Sequence, residues 1–234
     1  VIEFDAIILA GGRGSRLGGL RKPELTLDGH RLVDRALAAV IDARRVVVVG
    51  DAEVPEGVPR TREDPPYGGP VEALAAGMAF LHQDDPTAEP GEGTVGAAGT
   101  VSGVPPARPA RWTLVLASDL PEVEAAVNRL LQVEPAAEDD GVCLAGDDGR
   151  LQWLLGYYRT DALRARLADR GDPPLTAMHR LLAPLRLRGL ATEPGLTADI
   201  DTPADAGRWG IELPETGPTR PRGDGMVPAN DPPA

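Results

Sequence analysis

Apolar residues along the 234-residue chain fall into two kinds of run, and their alternation outlines a fold. Residues 4–10 (FDAIILA) form a short apolar stretch broken only by Asp5, the pattern of a strand buried on both faces. Residues 32–43 (LVDRALAAVIDA) instead space their apolar positions as one face of a helix does. A second strand is predicted over 45–50 and a short third over 58–62. Gly69-Pro70 then opens a helix over 71–82, with proline where a helix start tolerates it. Residues 112–117 (WTLVLA) resume as a buried strand and lead into a helix over 122–133. Strands at 141–145, 151–158 and 185–190, helices at 161–169 and 175–182, and a short helix after Pro203 complete the series. Such alternation implies βαβ units. The expectation is a single Rossmann-like α/β domain over residues 1–212, with a mainly parallel central sheet and helices on both faces.

Two segments break the rhythm. Residues 83–110 are rich in Gly, Pro, Ala, Thr and Glu and read as a flexible insertion; residues 213–234 read as a disordered tail.

In a mainly parallel sheet, ligands bind beyond the carboxyl ends of the strands. Three segments stand at those ends: the glycine-rich loop from Gly11, Asp64, and Asp119 after WTLVLA. A net charge of −12 argues against a general nucleic-acid binder. With one cysteine, Cys143, and three scattered histidines (His30, His82, His179), no zinc-type ligand cluster can be assembled. Any metal should therefore be a hard cation held by carboxylates and phosphates. No apolar run is long enough to span a bilayer, and a lone cysteine fits a reducing cytoplasm, so a soluble cytoplasmic protein is expected.

The loop GGRGSRLGGLRK, residues 11–22, carries the chemistry. Gly11, Gly12 and Gly14 let the backbone approach an anion closely, and Arg13, Arg16 and Lys22 add positive charge. Of the 24 basic residues only Lys22 is lysine, and a compact point charge is not interchangeable with a guanidinium. Leu17 breaks a dinucleotide-binding fingerprint, and Arg21-Lys22-Pro23 breaks a P-loop. A tight βα turn with surface arginines is the plainer alternative, but such turns take ~2–6 residues and this one is longer.

From Leu9 and Ala10 to Lys22 the segment resembles the signature loop of the molybdenum cofactor guanylyltransferases, which have LAGG, an arginine, and a lysine six residues beyond it. Asp64 followed by Gly69-Pro70, Ser118-Asp119-Leu120-Pro121, Gly156-Tyr157-Tyr158-Arg159 and Asp199-Ile200-Asp201-Thr202-Pro203 match further family segments in order. The resemblance implies a nucleotide-diphospho-sugar transferase-like fold and transfer of GMP from GTP to the phosphate of molybdopterin, releasing pyrophosphate. It implies nucleotide contacts from Leu9, Ala10, Gly11, Gly12, Lys22, Asp64 and Asp119, and catalytic roles for Arg16, Lys22 and Asp119. It also implies Mg2+ on Asp119, and transient contact with molybdoenzymes or other cofactor-biosynthesis proteins.

Asp199 and Asp201 replace two asparagines of that family, and an Asp-x-Asp pair is more like cytidylyltransferases, where it can help hold metal. The pair is therefore assigned to acceptor binding or a second metal position, against the plainer reading of an Asp-Thr-Pro helix start. Asp119 has its own plainer reading, an N-cap for the next helix. Transfer from CTP, transfer to another pterin or sugar phosphate, and a non-catalytic nucleotide-binding module on the same fold are the alternatives. Cys143 and Trp153 read as packing residues. Tyr157 and Tyr158 should point to opposite faces, one into the core and one towards the acceptor cleft. The histidines receive no role.

Overall fold

The computed structural model describes residues 2–12, 17–82, 109–171, 176–211 and 213. Arg16, nearly all of the predicted insertion and nearly all of the predicted tail lie outside them.

Seven strands form one sheet: β1 (Phe4–Ala10), β4 (Val46–Gly50), β5 (Arg60–Thr61), β6 (Trp112–Ala117), β7 (Gly141–Ala145), β8 (Leu151–Arg159) and β9 (Leu187–Ala191). Their order is β5-β4-β1-β6-β8-β7-β9. β1 lies parallel to β4 and β6, β4 to β5, and β7 to β9, while β8 runs antiparallel to both β6 and β7. The sheet is thus mainly parallel with one reversed strand. A separate two-stranded hairpin, β2 (Thr26–Leu27) and β3 (His30–Arg31), follows a single 3-10 turn over Lys22–Glu24. Neither is visible as periodicity, because both are too short to show any.

Alternation along β1 divides the core. Phe4, Ala6, Ile8 and Ala10 pack with α1 (Leu32–Ala39) and α3 (Val123–Leu131) on one face. Ile7 and Leu9 pack on the other with α2 (Pro70–His82), α4 (Thr160–Ala168) and α5 (Met178–Leu182). Helices on both faces follow from central strands that are apolar on both faces, broken only by Asp5 in β1 and Thr113 in β6. Several bounds contract. The helix expected to 43 ends at Ala39, leaving Ile41 81% exposed, so the apolar spacing ran past the last residue that meets the sheet. The strand expected over 58–62 is two residues long because it pairs only along the edge of β4. The helix expected from 175 begins at Met178.

Tyr157 and Tyr158 both have fully buried side chains, one in each core cluster. The expectation that one would face the cleft is corrected. Helices cover both faces of β8 at Tyr157 and Tyr158, so the strand reaches the cleft only through residues 152–155 nearer its start. Cys143 is buried beside Tyr158, Sγ to Oη 3.1 Å, and burial pushes its thiol up to about 12, so it is an inert packing residue.

A third, smaller cluster matters for the site. Leu17, Leu25, Leu27 and Leu32 pack against Ile200, Ala206 and Ile211. This apolar contact joins the loop that carries Lys22 to the segment that carries Asp199 and Asp201.

Candidate active site

The carboxyl ends of β1 and β6 lie side by side, clipped together where Ser118 N–H donates to the Leu9 carbonyl at 3.0 Å. Gly11 and Gly12 leave β1 exposed to solvent, and Gly12 has φ 139, a conformation only glycine adopts freely. Lys22 opens the 3-10 turn, and that turn is tied down by Arg31. The Arg31 guanidinium donates to Glu24 at 2.9 Å, to Asp34 and to the Glu53 carbonyl, while Glu24 accepts the Glu53 N–H.

Asp119 follows β6. It does not cap α3, whose N-cap is Glu122. Instead Asp119 Oδ2 accepts from Lys22 Nζ at 3.0 Å, and Lys22 also donates to Asp201 Oδ1. Asp201 reaches this point because Ile200 N–H donates to the Asp119 carbonyl at 3.0 Å and the Ile200 side chain is buried. The helix start after it, α6 (Pro203–Arg208), is capped by Thr202 in a reciprocal capping box with Asp205. Asp205 also accepts the Asp201 N–H, at 3.2 Å. Hence Asp201 is not spent on capping and faces the lysine.

The capping carboxylate has a titration consequence. Hydrogen bonds from Thr202, then Arg208, lower the Asp205 pKa to about 2. A depressed carboxylate pKa contributes stability that is present above the unfolded value, ~3.9, and lost as pH falls through about 2. Carboxyl NMR should therefore place the Asp205 midpoint near 2, with the Thr202 amide following the same curve. A midpoint near 4 would contradict the cap.

Carboxylate oxygens of Asp119, Asp199 and Asp201 lie within 4.8 Å of one another. Burial works against the Lys22 ammonium, but Asp119 and Asp201 outweigh it and hold its pKa above the usual value. Asp199 is exposed at the cleft mouth yet backed by protein. Partial desolvation first, and then the charges of Asp119 and Asp201, raise its pKa. Three carboxylates against one ammonium leave an excess of negative charge, so the cluster suits a hard divalent cation. Oxygens on opposite sides of an ion at ~2.1 Å stand about 4.2 Å apart, so small side-chain rotations would close the set.

Lys22, Asp119 and Asp199 line a cleft of about 710 Å³, a volume suited to a nucleotide-sized ligand, and Asp201 is held just behind its wall by Lys22. Leu9, Gly11, Gly12, Lys22, Asp119 and Asp199 are on its wall. Ala10 is buried at the end of β1, and Asp64 is an exposed residue whose neighbour Glu63 lines the cleft. Sequence reasoning passed over Glu63, Tyr67, Gln152 and His179, and read Trp153 as packing alone, yet all five line the cleft. None carries a motif, and only their place at the strand ends could have flagged them.

The model of the MobA-like NTP transferase domain matches residues 6–188. The chain belongs to that family. It is a nucleotidyltransferase, and its fold is that of such an enzyme. A curated relative, the molybdenum cofactor guanylyltransferase of Acidiphilium cryptum (strain JF-5), is 38% identical over 84 residues, covering 33% of this chain and 43% of that protein. The match thus spans less than half the relative's length. Among solved structures, molybdopterin-guanine dinucleotide biosynthesis protein A from Archaeoglobus fulgidus aligns with TM-score 0.59 and 18% identity over 88% of this chain and 96% of that one. The 2-C-methyl-D-erythritol 4-phosphate cytidylyltransferase of Thermus thermophilus aligns with TM-score 0.55 and 18% identity, over 89% and 97%. At those identities the structural likeness is one of fold. No helix among the described residues is long and apolar enough to cross a membrane.

Proposed function

We propose that this nucleotidyltransferase moves GMP from GTP to the terminal phosphate of molybdopterin, releasing pyrophosphate. The observation that carries the reading is Lys22, set between Asp119 and Asp201 beside the Gly11–Gly12 turn. An acceptor phosphate oxygen attacks the α-phosphorus, the bond to the β-phosphate bridging oxygen breaks, and pyrophosphate leaves with that electron pair. The nucleophile is already an anion, so the protein's task is positioning and charge neutralisation. Exposed Gly11 and Gly12 bring backbone against the phosphates, and Lys22 supplies a point charge beside them. Arg16 belongs to the same loop and is assigned to the phosphates. Asp119, with Asp201 and Asp199 beside it, would hold Mg2+. When bound, the ion would neutralise the α-phosphate and align it for attack.

The Asp199–Asp201 pair favours a second reading, a cytidylyl transfer or another phosphate acceptor on the same machinery. Thermal shift with magnesium and GTP, CTP, ATP or UTP separates the two. At about 100-fold over Kd a bound nucleotide stabilises by ~2.7 kcal/mol, and GTP alone should produce that rise. A rise with CTP instead would replace the donor, and none with any nucleotide would point to a non-catalytic module.

A further inference from the structure

The sheet order assigns the cleft two flanks. At its centre the adjacent ends of β1 and β6 present Gly11, Gly12 and Asp119. On one side the order runs on through β4 to β5, and Glu63 lies two residues past the end of β5. On the other stands β8, with Gln152 and Trp153 near its start.

Glu63 is only 8% exposed although it lines the cleft. Its Oε1 accepts the Tyr67 backbone N–H at 3.0 Å. Its Oε2 is buried and, among the described residues, has no hydrogen-bond partner. A buried acceptor left unsatisfied costs ~1–3 kcal/mol, more when charged, and native proteins seldom keep one without a purpose. Tyr67 stands next to it with φ 65, a conformation uncommon for a non-glycine residue. Its ring is held by the Arg62 guanidinium at 4.9 Å and it too lines the cleft, 47% exposed. One short segment therefore sets a half-satisfied, buried carboxylate and an aromatic ring along the same wall of the cleft. A planar heterocycle with N–H donors on its edge complements both.

We propose that Glu63 is the base-reading residue: its carboxylate accepts the N1–H and 2-amino hydrogens of guanine, with the base against Tyr67. This rests on the guanylyl reading above and adds to it the group that chooses the base. Guanine places two donors side by side. Cytosine sets ring and carbonyl acceptors next to its amino group, and adenine sets a ring acceptor next to its own, so an ionised carboxylate meets a lone pair on either. Asp64, which the family resemblance favours for nucleotide contact, is exposed and is not the reader in this assignment.

The test measures Kd for GTP, ITP and CTP with magnesium, on the full chain and on Glu63→Gln and Asp64→Asn. Glutamine keeps an acceptor for the Tyr67 N–H, so Glu63→Gln should melt within a few degrees of the parent when no nucleotide is present. The parent should bind ITP, which lacks the 2-amino group, about 10-fold more weakly than GTP, and Glu63→Gln should reduce the GTP-over-CTP preference by about 10- to 100-fold. A parent that prefers GTP, with Glu63→Gln keeping that preference, overturns the assignment. So does a preference that falls in Asp64→Asn instead. A parent that prefers CTP removes the guanylyl reading itself, an outcome that is visible before any variant is made.

Discussion

Asp119→Ala and Lys22→Ala should each lower turnover by ~10²–10³, the range seen when one preorganised charge-stabilising group is removed. The two residues hold each other at 3.0 Å, with side chains that remain about one-fifth exposed. Lys22 keeps Asp201 when Asp119 is removed, and removing Lys22 leaves carboxylates that still reach solvent, so both variants should stay folded at the assay temperature and the loss should be one of rate. Lys22→Arg should not restore it. A guanidinium is planar and larger than an ammonium, and Lys22 Nζ is already bracketed by two carboxylates. Pyrophosphate release in the presence of GTP, magnesium and molybdopterin reads the effect. Rates near the parent's in both alanine variants would dispose of the assigned roles.

The second large effect is on stability and starts from Gly50. It ends β4 opposite Ala10 with φ 136. A Cβ at this position would stand 2.5 Å from the Ala10 carbonyl oxygen and 2.7 Å from the Gly11 nitrogen. Both are backbone atoms, so no rotamer change can relieve the contact. Gly50→Ala should therefore cost at least ~3 kcal/mol, combining overpacking with strain at positive φ. For a domain of this size that corresponds to a fall in Tm of about 10 °C. Nucleotide affinity should fall with it, because the displaced backbone is the start of the turn proposed to bind the phosphates. Gly57→Ala is the comparison. It shares a positive φ, 86, but its Cβ would meet nothing within 4 Å, so its loss should be only ~1 kcal/mol. Equal melting of the two variants would show that the close approach at Gly50 carries no energetic weight.

Much of this architecture is legible in the chain. β1 and β6 match their expected bounds because a continuous aliphatic run flanked by polar or glycine residues has few other ways to be buried. Asp119 stands out for a related reason, as the charged residue that ends an apolar strand, and Lys22 as the one lysine among 24 basic residues, set in the glycine-rich loop. The convergence of Asp201 on Lys22 is not legible, since the two lie 179 residues apart. They meet because Leu25, Leu27 and Ile200 share a small apolar cluster and Ile200 N–H is bonded to the Asp119 carbonyl. The choice between Glu63 and Asp64 is equally hidden. Two adjacent carboxylates on an irregular segment have no periodicity to say which turns inward, and the contact with Tyr67 N–H decides it. The reversal of β8 is hidden too, because strand patterning encodes burial and not direction.

That reversal has a consequence for how the molecule can change. The wall of the cleft bearing Glu63 is reached by strand exits, whose chain runs on into a covering helix. A length change there displaces a whole layer. The opposite wall, at Gln152 and Trp153, is the start of a strand returning from the 146–150 turn, where Gly146 N–H donates to the Arg150 carbonyl at 2.8 Å. Beyond a hydrogen bond from Gly195 N–H to Asp147 that turn carries no covering helix, and the pairing of Gly141 with Tyr158 and Val142 with Tyr157 is fixed well behind it. Residues gained or lost at its tip remodel one wall and leave the other in register. The scaffold is thus modular in its evolvability, conservative on the side of the glycine loop and free to diversify on the side that faces it.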